Sequence, residues 1–176
     1  MRAFFVEFCT CFIQKFSTIT VIYQVMMIKF ITVEEALPLR NVVLREGRLT
    51  PDECRFPSDN LPGNFHLGCF DNDKLICIAS FHPQSYGEYS GVGYQLRGMA
   101  TADGHQGKGA GKQLVEFAKH YLRGRSADYV WCNARQVAVG FYERLGLKIV
   151  SPQFDVPGIG PHYVMYVDLK NLNRSA

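Results

Sequence analysis

Gln106, Gly107, Lys108, Gly109, Ala110 and Gly111 form a run in which glycine occupies every second position. Such a backbone carries almost no Cβ atoms to hold a ligand away, and it reaches turn geometries closed to other residues. Directly after it, Ala110, Leu114, Phe117, Ala118, Tyr121 and Leu122 recur at helical spacing, so the glycine run opens an amphipathic helix. A helix start presents unpaired N–H groups and the positive end of the dipole, a seat for an anion such as a pyrophosphate. Lys108 and Lys112 add mobile positive charge beside it. The spacing excludes two common phosphate loops. A P-loop running from Gly104 to Gly109 would require lysine where Ala110 stands. A dinucleotide fingerprint begun at Gly107 or Gly109 would need its third glycine where Lys112 or Leu114 stands. What remains is Gln-x-x-Gly-x-Gly between a strand and a helix, or a glycine-rich turn that only starts a helix. The surrounding elements decide between them.

Lys29 to Val33 alternates as a first strand. Thr32-Val33-Glu34-Glu35 matches a capping box, and a helix follows through Leu37, Val42, Val43 and Leu44, with Pro38 in its opening turns and Gly47 at its end. Arg48 to Gly63 is a polar, proline-rich loop region with room for one short helical turn. Phe65 to Phe70 and Lys74 to Phe81 read as a hairpin about Asp71-Asn72-Asp73. Pro83 to Gly91 is a loop, and Val92 to Thr101, broken by Gly98, is the strand that delivers the chain to the cradle. Gly124 stops the cradle helix, with Arg123 in its last turn to meet the dipole. Tyr129 to Asn133 is a short buried strand. Val137, Ala138, Phe141, Tyr142 and Leu145 then form one helical face closed by Gly146. Leu147 to Val150 and Tyr163 to Leu169 are final strands, separated by a proline- and glycine-rich loop, Ser151 to His162. This order is an α+β layout around one mixed sheet.

The 176 residues are 47% hydrophobic and 20% charged, ordinary for one globular domain with a real core. A net charge of +3 and the lack of any basic run of five residues exclude nucleic acid as an expected partner. Six cysteines without a C-x-x-C pair, mostly inside apolar strand-like runs, indicate reduced, buried thiols, a cytoplasmic location and no metal site. Met1 to Val25 is very apolar, but Glu7, Gln14 and Lys15 interrupt every window long enough to span a bilayer. A signal-type cleavage site is also lacking. The expected organisation is an apolar leader, 1–26, a globular domain, 27–170, and a tail, 171–176, with Met26 or Met27 as the functional start. An amphipathic membrane tether is the alternative for the leader.

Two motifs carry a resemblance to a known family. The first is Met99 to Gly111, a strand, a short turn, then Gln-x-x-Gly-x-Gly and a helix. The second runs from Asn133-Ala134-Arg135 to Phe141-Tyr142-Glu143-Arg144-Leu145-Gly146-Leu147, with Leu147 at the place of a usual phenylalanine. With these motifs in order and at the right spacing, Tyr94 to Leu169 resembles the GNAT N-acetyltransferases throughout. The resemblance implies a GNAT fold, a mostly antiparallel sheet of about seven strands flanked by helices, with a splay between the fourth and fifth strands. It implies acetyl-CoA as cosubstrate and direct transfer of the acetyl group to a primary amine in a ternary complex. Met99, Ala100 and Thr101 would pair with the pantetheine arm. Gln106, Gly107, Lys108, Gly109, Ala110, Gly111 and Lys112 would take the pyrophosphate, and Asn133 would hydrogen-bond the pantetheine. Tyr142 would be the general acid on the departing sulfur. His162, in the loop between the last strands, is the leading base or acceptor contact, with His82, His105 and Glu88 behind it. Arg45, with Arg48 and Asp52, lies where the first helix meets its loop and could hold an acidic or polar acceptor. A small amine is the expected partner of a monomer or homodimer, with no membrane contact. The alternative is an acyl-CoA-binding sensor without catalysis, which needs the cradle but not Tyr142.

Overall fold

The computed structural model describes residues 26–87 and 89–170, so the apolar leader, the C-terminal tail and Glu88 lie outside the described residues. The chain runs β1 (Met26–Ile31), α1 (Val33–Arg45), β2 (Phe65–Asp71), β3 (Lys74–Pro83), β4 (Gly93–Thr101), α2 (Ala110–Arg123), β5 (Tyr129–Arg135), α3 (Val139–Glu143), β6 (Lys148–Ile149), β7 (Phe154–Val156) and β8 (Gly160–Asp168). Single 3₁₀ turns occupy Asp52–Cys54 and Gln136–Ala138. The strands form one sheet in the order β1-β2-β3-β4-β5-β8-β6, with β7 also pairing β8. Among the described residues only β4 and β5 run parallel, and every other pair is antiparallel. The expected α+β class, the mostly antiparallel sheet and the flanking helices are all present.

Strand alternation sends side chains to two faces. On one, Leu67, Cys69, Cys77, Ala79, Phe81, Leu96, Val130 and Cys132 meet Leu114, Val115, Ala118 and Leu122 of α2, whose buried positions recur every three or four residues. Each such aliphatic or aromatic side chain, fully buried, contributes about 1.5–3 kcal/mol. On the other face α1 lays Ala36 against Ile31, Ile78 and Ala100. The capping box at the start of α1 forms in both directions. The Thr32 amide donates to the Glu35 carboxylate at 2.7 Å, and the Glu35 amide donates to the Thr32 hydroxyl at 3.2 Å.

Several expected details differ. The first strand is Met26–Ile31 rather than 29–33, because Thr32 leaves the ladder to cap α1. Gly124 caps α2 in right-handed geometry, and the left-handed residue that reverses the chain is Ser126, at φ 59°. Val137 is 93% exposed, because a 3₁₀ turn precedes α3 and rotates it off the apolar face. The segment 151–162 is not all loop. It contains β7, and His162 sits in β8, in register with Phe154 on one side and Arg135 on the other.

Candidate active site

β4 and β5 begin side by side, with Gly93, Tyr94 and Gln95 in register with Tyr129, Val130 and Trp131, and the pairing stops there. The cause lies on the opposite edge of β4. Between the pairs Ser80–Arg97 and Ile78–Ala100, β4 advances three residues where β3 advances two. Gly98, at φ +57°, supplies the left-handed turn of this bulge. A bulge bends its strand and increases its twist, which carries β4 away from β5. The result is the expected splay. Gly98 and Met99 have no register partner on β3, and β4 has none on β5 beyond Gln95, so Met99, Ala100 and Thr101 border an open gap. Asn133 faces that gap's far side as an exposed residue of β5.

The chain then turns through Gln106, whose side-chain amide reaches toward the Thr101 carbonyl and Asp103 at 3.4 Å. Gly107 and Gly109 take left-handed conformations, φ 74° and 90°, and nothing lies within 4 Å of a Cβ built on Gly107. Gly109 caps α2, and the first intrahelical backbone bond runs from Gln113 to Gly109. Helix geometry therefore leaves the amides of Ala110, Gly111 and Lys112 without an intrahelical acceptor. Lys108 and Lys112 are exposed beside them. The bare backbone, open Cβ space and free amides fit a pyrophosphate. Gly111 differs from the other two glycines. A Cβ there would stand 2.7 Å from the Met99 methyl and 3.3 Å from the Phe141 ring, so its smallness serves the packing of α2 on β4 and α3.

Tyr142 on α3 is buried among core residues, edge-on to Phe141. Burial drives its phenol well above the usual range, with Cys132 of β5 and Cys77 of β3 adding to the push. The ring thus packs against the face of the sheet that α2 covers, near Cys77 of β3 and Cys132 of β5. The turn after it is fixed: the Leu145 and Leu147 amides donate to the Tyr142 carbonyl, and the buried Lys119 ammonium of α2 donates to the Leu145 carbonyl at 2.8 Å.

On the face of the sheet opposite α2 stand Asn133, Arg135, Val164 and His162, linked by the β5–β8 register. His162 is buried against the Phe154 ring, and its Nδ1 lies 2.7 Å from the Gly160 carbonyl. A carbonyl can only accept, so Nδ1 carries the proton of the neutral ring and Nε2 keeps a lone pair. Arg135 and Arg97, both half-buried, have no carboxylate partner within salt-bridge distance among the described residues. Neither arginine stands out in the sequence. Arg97 has only its place one residue before Gly98, and Arg135 only its place two residues after Asn133, as possible signals. Arg45 ends α1 beside Cys54, whose thiol feels its charge. Arg48 and Asp52 pair with Glu46 and Arg55 on the exposed surface.

Of the weaker histidines, His105 lies 3.8 Å from Asp71, outside the gap. His82 belongs to a buried polar network under α1. There Arg40 donates to Asp59 at 2.6 Å, to the Cys54 carbonyl and Ser80 hydroxyl at 2.9 Å, and lies against Phe56. His82 Nδ1 meets the Ser58 hydroxyl at 2.7 Å, and its Nε2 stands 3.3 Å from Asp59. Asp59, His66 and His82 bring their ligand atoms within 4.8 Å of one another, but the carboxylate already holds the Arg40 guanidinium as its cation. Burial pushes the Asp59 carboxyl up, and contacts from His82, Arg40 and the Phe56 amide outweigh it, holding the group well below the usual range.

Residues 33–147 match the acetyltransferase (GNAT) family. A Bacillus subtilis protein described as an uncharacterized N-acetyltransferase, YitI, is 42% identical over 144 residues, 81% of this chain and 96% of the relative. Among solved structures, an aminoglycoside 6'-N-acetyltransferase complexed with coenzyme A superposes with a TM-score of 0.65 at 17% identity, covering 81% of this chain and 97% of that one. Escherichia coli ElaA does so at 0.65 and 18%, covering 81% and 99%. At those identities the likeness carries the fold alone. No helix among the described residues is long and apolar enough to cross a membrane. The family match over most of the globular domain, together with the splayed fourth and fifth strands, makes this chain a member of the GNAT family, an N-acetyltransferase.

Proposed function

We propose that the protein transfers an acetyl group from acetyl-CoA to the primary amine of a small acceptor that also carries an anionic group. The observation that supports the acceptor class is that Arg97 and Arg135, half-buried guanidiniums on strands flanking the gap, have no carboxylate partner among the described residues. A buried cation left unpaired is costly, and a carboxylate or similar oxyanion on the acceptor would complete it with two parallel hydrogen bonds. Arg45, at the end of α1, adds to the same positive field.

The residues divide the work as follows. The amides of α2 and Lys108 and Lys112 hold the pyrophosphate, and Met99, Ala100, Thr101 and Asn133 hold the pantetheine. His162 Nε2 takes the proton that the acceptor's ammonium must lose. The C–N bond forms, and charge builds on the carbonyl oxygen, which the β4 backbone near Met99 can stabilise; such a donor is worth about 3 kcal/mol. As the C–S bond breaks, the Tyr142 phenol donates to the sulfur. Transfer is direct rather than through an acetyl-cysteine. The Cys69 and Cys77 thiols are pushed up by burial to about 11 and about 12, and that of Cys132 still higher. None supplies a thiolate nucleophile at neutral pH.

The test is thiol release from acetyl-CoA with amine pairs, each α-amino acid beside the amine left by removing its carboxylate. The carboxylated member should react faster by about 10-fold or more, as one charge-assisted pair is worth roughly 1.5–3 kcal/mol. Arg97→Gln should abolish the preference, and His162→Gln should lower kcat by about 10²-fold or more while acyl-CoA affinity stays within a few-fold. Equal rates within every pair would refute the anionic acceptor.

A further inference from the structure

Arg97 does not choose its own orientation. Its guanidinium carbon lies 4.1 Å from the centre of the Phe56 ring, and the same ring lies 4.2 Å from that of Arg40. Phe56 belongs to a turn closed on itself, since the Phe56 amide donates to the Asp59 carboxylate at 2.8 Å and the Asp59 amide to the Phe56 carbonyl at 2.9 Å. Asp59 is in turn anchored by Arg40, which also holds the Cys54 carbonyl and the Ser80 hydroxyl. The bulge of β4 fits against this assembly: a Cβ on Gly98 would stand 3.1 Å from Arg40 Nε and 3.2 Å from the Phe56 ring. Two guanidiniums thus lie against one aromatic ring beside the bulge, and of the two only Arg40 is paired with the Asp59 carboxylate. Asp59 is already engaged by Arg40, so the second positive charge, on Arg97, has no counter-ion of its own among the described residues.

We infer that Phe56 is a positioning residue for the acceptor, its ring aiming Arg97 at the gap and the Asp59–Arg40 pair fixing the ring. This rests on the reading of Arg97 as the acceptor's anion contact. It makes residues 55–59, which touch neither the cradle helix nor Tyr142 in any contact described above, a determinant of acceptor affinity. Arginine on an aromatic face gains about 0.5–1 kcal/mol when exposed and about 2 when desolvated. Losing the ring should therefore weaken anion binding by roughly 2- to 30-fold.

The test uses the full chain saturated with coenzyme A, so that the cradle is filled, and sulfate as the probe. The Arg97 Nε–Hε resonance is followed by NMR during the titration, in wild type, Phe56→Leu and Phe56→Trp. Wild type should show a saturable shift of that resonance. Phe56→Leu, which keeps bulk but not the aromatic face, should bind sulfate several-fold more weakly with its backbone spectrum otherwise preserved. Phe56→Trp should stay within about two-fold of wild type or improve on it, because indole is the better partner for a cation. Equal sulfate affinity in wild type and Phe56→Leu, or a Phe56→Trp as weak as Phe56→Leu, overturns the positioning role alone. An Arg97 resonance that sulfate leaves unmoved in wild type overturns the anion-binding reading beneath it.

Discussion

Tyr142 sets a limit on what a buried phenol can do. Burial raises it, so it stays protonated across the whole working range of pH. The departing thiol has an ordinary value near 8.5, so complete proton transfer from such a phenol would run uphill. Its contribution is then a hydrogen bond to the sulfur as charge develops, and that is smaller than a full general-acid step. Tyr142→Phe should lower kcat by roughly 10- to 10³-fold and leave acyl-CoA affinity within a few-fold. The penalty should shrink with a thioester whose thiol is more acidic. Wild-type turnover in the variant would reduce Tyr142 to a packing residue. The ring itself should remain, since Tyr142 closes the core beside Leu145 and Leu147.

The glycine run behaves as two devices within one element. Gly109 sits at φ +90° with open space around it, whereas Gly111 lies inside α2 with Met99 and Phe141 against it. Gly109→Ala should weaken coenzyme A binding by strain and by crowding the phosphate site. Gly111→Val should instead unsettle the contact of α2 with β4 and α3, at about 1–3 kcal/mol of stability, as overpacked core sites do. Calorimetry and chemical denaturation on both variants separate the effects. A Gly111→Val chain of wild-type stability with lost affinity would return Gly111 to the cradle. The bulge of β4 is a comparable case, in which a single glycine, Gly98, both bends the strand and admits Arg40 and Phe56.

The whole molecule carries an acid-sensitive layer under α1. His66 is buried, and its pKa is lowered chiefly by that burial; its Nε2 faces the Asp59 carbonyl and its Nδ1 the Ser80 hydroxyl. The neutral ring therefore matches its partners, donating to one and accepting from the other. Both His66 and Asp59 have folded values below their unfolded ones. The unfolded chain then binds more protons than the folded chain, so stability falls as pH falls. The His66 contribution should start to disappear below about pH 6.5, and that of Asp59 below about pH 4. Urea midpoints measured from pH 8 to pH 3.5 should show this two-stage decline, and His66→Gln should flatten the upper stage. A midpoint constant between pH 8 and pH 5 in the wild type would contradict the account of His66.

Local signals fixed a great deal in this chain. The capping box before α1, the two-residue turn between β2 and β3, and the glycine run before α2 each depend on neighbours within a few residues, so type and spacing were sufficient to read them. The resemblance carried by the motifs from Met99 to Leu147 implied the splay and singled out Tyr142. What the sequence could not reveal depends on distant segments. His162 reads as a loop residue until β7 and β5 pair on either side of β8. The missing side chain of Gly111 reads as room for a phosphate until Met99 and Phe141 close on it. Arg97 and Arg135 are ordinary surface cations in one dimension. Among the described residues neither has a carboxylate partner within salt-bridge distance, and Arg40, 57 positions before Arg97 in the chain, already pairs with the buried carboxylate of Asp59. Burial and the choice of counter-ion are properties of the assembled sheet, and no window of sequence contains them.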